Sequence, residues 1–182
     1  MKQVFLSILL MFMPMVASAS IIDGINYDIN TTDKTLTVIY GSYTGDLVIP
    51  SEVDLGEIYT VTAIAESAFG GCGGLTSVTI PNTVTTIGNN AFSDCTNLMS
   101  VTSNITEPYS INSNVFSTET YRKGTLYIPA GTEKLYTRFD GWREFLKIEE
   151  TGTVGNLRGD LNGDGVVNAA DIVELVNIIM GE

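Results

Sequence analysis

The chain contains no histidine, only two cysteines and a single tryptophan among 182 residues. Without histidine there is neither Ser-His-Asp nor Cys-His catalysis, and the commonest transition-metal ligand is missing. Charge is scarce and lopsided: 16% of residues are charged, 21 acidic against 9 basic, for a net charge of −12. That sign excludes nucleic acid and anionic membrane as electrostatic partners and favours cations. Long apolar runs are confined to the N-terminus, where Val4 to Met13 follows Lys2 and precedes Ala17-Ser18-Ala19. A positive start, an apolar run and a small-residue cleavage site describe a secretory signal peptide over residues 1–19. The run falls short of the ~20 residues that span a bilayer, so a membrane anchor is the weaker reading. Cleavage after Ala19 removes Lys2 and leaves a net charge of −13, with no following cysteine for lipid attachment and no membrane insertion expected.

What the chain does have is repetition. VTAIAESAFGGCGGLTSVTIPNT at 61–83 is followed at once by VTTIGNNAFSDCTNLMSVTSNIT at 84–106, two units of 23 residues with eleven identical positions. The recurring positions are mainly apolar, among them Val61/Val84, Ile64/Ile87, Phe69/Phe92, Cys72/Cys95 and Leu75/Leu98. Self-similarity at this period is the mark of a solenoid whose turns bury their apolar side only against one another. Leu75-x-x-Val78-x-Ile80 and Leu98-x-x-Val101-x-Ser103 carry the spacing of a leucine-rich repeat strand, with Val78 and Ile80 inward and Thr79 outward. Proline ends the strand at Ile80-Pro81, and the same punctuation recurs at Ile49-Pro50 and Ile128-Pro129. Four rungs follow over residues 47–150, with Ile111 and Asn114-Val115-Phe116 as a degenerate third unit.

These phrases resemble the BspA type of leucine-rich repeat, found in secreted and surface proteins of anaerobic bacteria. The likeness covers about residues 25–150, including V-T-x-I, A-F-x-x-C-x-x-L and the Tyr127-to-Thr132 terminal phrase. It implies a mainly β fold with short helices and a secreted or cell-surface adhesin of a bacterium.

Around this block, Ile25-Asn26-Tyr27 and Thr35 to Ile39 flank an Asn/Asp/Thr-rich turn and read as a hairpin capping the solenoid within residues 20–46. Asn30-Thr31-Thr32 and Asn104-Ile105-Thr106 match glycosylation sequons but read first as turns. Cys72 and Cys95 share one repeat position, so they form either a disulfide or two buried thiols. From Thr132 to Glu150 the spacing of Leu135, Tyr136, Phe139, Trp142, Phe145, Leu146 and Ile148 is helical, with a start at Thr132. Trp142 is either a ligand platform or, preferably, an aromatic closing the last rung. Residues 151–158 read as a linker.

The sharpest local motif follows the linker. Asp160, Asn162, Asp164, Asn168 and Asp171 fall at loop positions 1, 3, 5, 9 and 12, with Gly165 at 6, the spacing by which a twelve-residue EF-hand loop wraps Ca2+. Val166 supplies a carbonyl, Asn168 acts through water and Asp171 comes from the following helix. The alternative, an acidic turn without metal, brings three carboxylates together unscreened. In the exit helix Ile172, Leu175, Val176 and Ile179 form an i, i+3, i+4, i+7 stripe that calls for a partner. Residues 159–177 look like one repeat of a type I dockerin, where aspartate is usual at the last position. That resemblance implies docking onto a cohesin module within a polysaccharide-degrading assembly, although a full dockerin has two repeats and this chain shows one. A homodimer through 172–180 is the other way to complete it.

The acids outside the calcium loop are scattered, and Glu149-Glu150 reads as a solvated pair, so no glycosidase pair stands out. The expected function is non-catalytic binding, through outward Thr76, Ser77 and Thr79 with Met99, Ser100 and Thr102, toward a cell-surface or host protein or an extracellular glycan. A solvated strand surface needs hydroxyls in any case. The second expectation is a calcium-dependent assembly subunit whose working surface is residues 159–182.

Overall fold

A computed structural model of the chain describes residues 20–151; the segment 1–19 expected to be a signal peptide and residues 152–182, where the linker, calcium loop and apolar helix are expected, lie outside the described residues. Strands β1 (Ser20–Ile22), β2 (Ile25–Asn30) and β3 (Thr35–Val38) form an antiparallel meander at the N-terminal end. Asp23 and Gly24, with φ of 49° and 81°, make the two-residue link from β1 to β2. Left-handed φ at both loop positions matches the twist of the flanking strands. Between β2 and β3 the Asn30 Oδ1 accepts from the amides of Thr32 and Asp33, so this sequon is a turn device.

Beyond the meander the chain winds. On one side β3 pairs in parallel with β6 (Ile58–Ile64), and β6 with β8 (Thr86–Ile87), while β5 (Glu52–Asp54) folds back antiparallel on β6. On the other side β4 (Thr44–Val48), β7 (Gly74–Ile80), β9 (Ser100–Ser103), β10 (Thr125–Pro129) and β11 (Ile148–Thr151) form a five-stranded parallel sheet in the order β4-β7-β9-β10-β11. In-register pairing puts Leu47, Val78, Val101, Leu126 and Ile148 in one inward row. The next inward row holds Ile80, Ser103 and Ile128, all fully buried. Ser103 is the polar exception, and its hydroxyl lies 2.6 Å from that of Tyr136, which donates to the Ile105 carbonyl at 2.7 Å.

At the turn joining the two sides, Phe69, Phe92 and Phe116 stack with centroids 4.6 and 5.0 Å apart and planes within 8°. The backbones beside them are tied: Phe69 N–H donates to Ala91 O at 2.8 Å and Phe92 N–H to Val115 O at 2.7 Å. Ser67 and Asn90, and likewise Gly71 and Asp94, take left-handed φ at equivalent positions of consecutive turns, bracketing each phenylalanine. The stack ends against a tilted Tyr43 on one side and against Tyr121, Trp142 and Phe145 on the other.

Two sequence expectations are corrected. The parallel sheet has five rungs rather than four, and its first strand starts at Thr44, inside the stretch assigned to the capping hairpin. The helix expected over 132–150 is a single turn, α2 (Glu133–Tyr136), then a 3-10 turn (Trp142–Glu144) and strand β11; among the described residues the other α-helix is α1 (Thr118–Lys123). Gly141 breaks the helical run with φ 79°, and a Cβ there would collide with the side chain and carbonyl of Ile111. Leu146, one of the residues of that helical spacing, is 75% exposed. Glu149 is exposed and Glu150 half-buried, each with its own partner: Lys147 at 2.9 Å and the Glu133 amide at 3.0 Å.

Phe92 sits at the centre of the stack, so Phe92→Ala removes both ring neighbours and leaves a cavity. Destabilisation of about 3–5 kcal/mol is expected in denaturant unfolding. A loss below about 1 kcal/mol would show that the stack contributes little.

Candidate recognition surface

Because alternate strand residues face opposite ways, the buried rows fix the outer ones. One outer row of the parallel sheet runs Val48, Thr79, Thr102, Tyr127 and Glu149; beside it run Asp46, Ser77 and Ser100. The structure thus brings Ser77, Thr79, Ser100 and Thr102 onto one face, all half-buried between neighbouring strands. Thr76 and Met99 are exposed at the strand entrances. Thr76 and Ser77 are not free hydroxyls, since both donate to Asp46 Oδ1, at 2.8 and 2.7 Å. Those two bonds hold the Asp46 carboxyl below its ordinary pKa. At the far edge Lys147 bridges Glu149, which raises the lysine's pKa, through contacts too exposed to add much stability. Glu150 is held low by the amides of Gly131 and Glu133 at the start of α2.

Sequence reasoning missed Asp46, Val48 and Tyr127 on this face. Each belongs to a strand outside the two clean repeat units, and only the ladder register aligns them. The residues expected to bind calcium, Asp160, Asn162, Asp164, Val166, Asn168 and Asp171, and the stripe Ile172, Leu175, Val176 and Ile179 lie outside the described residues.

The reactive side chains are committed to structure. Cys72 and Cys95 are free buried thiols that donate separately to Gly41 O at 3.4 Å and Phe69 O at 3.0 Å. Burial pushes the Cys95 thiol up to about 12, so it is held protonated and unreactive. Trp142 is fully buried, its Nε1 donating to Tyr109 O at 2.9 Å, which makes it a closing aromatic and not a ligand platform. Among the described residues no three Cys, Asp or Glu side chains gather as a metal site, and no helix is long and apolar enough to cross a membrane.

Residues 51–139 match the model of the BspA type leucine rich repeat region, in six copies. A solved leucine-rich repeat protein from Bacteroides capillosus is similar at 26% identity and a TM-score of 0.53, over 74% of this chain and 99% of that one. A leucine rich cell surface protein from Faecalibacterium prausnitzii shows 25% identity and a TM-score of 0.48, over 75% of this chain and 43% of that one. No curated protein matches the chain.

Asp46 has its pKa depressed on folding, so its contribution is present above the unfolded value and lost as pH falls through the folded one. The stability gap between the wild type and Asp46→Ala should therefore be open at about pH 7 and narrow toward about pH 2. Thermal unfolding across that range checks it; a gap of constant size would contradict the role assigned to the carboxylate.

Proposed function

We propose that this BspA-type leucine-rich repeat solenoid is a secreted or cell-surface, non-catalytic binding protein that recognises another protein, or an extracellular glycan, through the outer face of its parallel sheet. The observation that carries this reading is the face itself. Five parallel strands present hydroxyls and one tyrosine ring in straight rows, with Asp46 at one edge and Glu149 at the other. Repeated rows on a rigid support suit an extended partner, as solenoid faces do. The absence of histidine and the commitment of both thiols to the core support a binding role over a catalytic one.

A second reading rests on residues 159–182, which carry calcium-loop spacing followed by an apolar stripe. In it the solenoid is cargo and the calcium module a tether, docking through a cohesin-like partner into a polysaccharide-degrading assembly. The two readings are compatible, and removing 159–182 separates them: recognition by the sheet face survives the deletion, while assembly is lost.

Calorimetric titration with calcium should show one ion per full chain, with uptake abolished by Asp160→Ala combined with Asp164→Ala. Absence of binding at about 1 mM calcium would remove the tether and leave the repeat region alone.

A further inference from the structure

The N-terminal meander does not close flush on the first rung. Between them lies a cavity of about 410 Å³. Its walls are mostly apolar, with Ile22 and Ile25 on the meander facing Val48 and Val53. Two carboxylates line it, Asp23 from the tight turn and Asp46 from β4, and no lysine or arginine does. Asp46 is kept charged by the hydroxyls of Thr76 and Ser77.

A further observation gives the cavity its direction. Among the described strands β4 is the terminal one of its sheet, paired with β7 alone. Three consecutive β4 residues, Asp46, Leu47 and Val48, line the cavity although their side chains alternate between faces. The cavity therefore runs along the edge of the strand, where backbone groups are unpaired.

We infer that this cavity is a second binding site, which takes the lysine or arginine side chain of an extended partner-protein segment pairing with the free edge of β4. The apolar walls suit the aliphatic stem of such a side chain. The cationic head meets Asp23 and Asp46. Strand addition supplies affinity through the main chain, and the pocket supplies specificity. A second copy of this chain is a poor occupant, because edge-to-edge pairing would bring like carboxylates together.

Titration of the full chain with the peptide N-acetyl-Val-Thr-Lys-Thr-Val-amide, and with its norleucine counterpart, tests the inference. The lysine peptide should bind one per chain and at least about tenfold more tightly than the norleucine peptide, a ratio set by one charge-assisted contact. Asp23→Asn should weaken the lysine peptide about tenfold. This variant leaves the hydroxyl rows of the outer sheet face unchanged, so failure here is separable from failure of that surface. Equal affinity for the two peptides, full affinity in Asp23→Asn, or no binding of either peptide at about 5 mM would overturn the inference.

Discussion

The structure depends on stacking equal side chains at equal heights. Phe69, Phe92 and Phe116 lie nearly parallel at 4.6 and 5.0 Å, the spacing at which parallel strands hydrogen-bond. Rings can repeat at that interval only if each turn of chain returns to the same conformation. The left-handed residues at Ser67/Asn90 and Gly71/Asp94 recur for that reason. No turn buries its apolar side alone, so each rung is stabilised by the next, and the two ends need aromatic closure. Tyr43 provides it at one end, and Tyr121, Trp142 and Phe145 at the other.

That constraint also generates the surface. With Val78, Val101 and Leu126 fully inward, Thr79, Thr102 and Tyr127 have nowhere to go but outward, in register. The residues available for recognition are thus by-products of the core, placed without any separate device. The edges differ, because a solenoid has ends. At β4 a carboxylate is fixed by two hydroxyls, and at β11 Glu150 holds the start of α2. The N-terminal meander closes the core but leaves the cavity beneath Tyr27.

Much of this was legible in the sequence, because a repeat repeats its buried residues. The period, the inward Val78 and Ile80, the antiparallel strands before the solenoid and the closing role of Trp142 follow from spacing and composition. What escaped has physical reasons. Strand β11 has a single apolar residue, Ile148, in Ile-Glu-Glu-Thr, so no alternation announces it. The aromatic spacing from Leu135 to Phe145 mimics a helix, and only the Gly141 backbone, pressed against Ile111, shows why none continues. Ser103 looks like a break in an apolar row until Tyr136, distant in sequence, supplies its hydrogen bond. The bonds from Thr76 and Ser77 to Asp46 join residues 30 and 31 positions apart, a pairing that only strand register creates.

The most direct test of the dependence on stacked rungs is native-state hydrogen exchange at the amides of Phe69, Phe92 and Leu126, which donate to Ala91, Val115 and Lys147 of the following turns. If stacking binds the rungs into one unit, the three amides open together with the free energy of global unfolding. Stepwise opening, with values differing by more than about 2 kcal/mol between successive rungs, would contradict it.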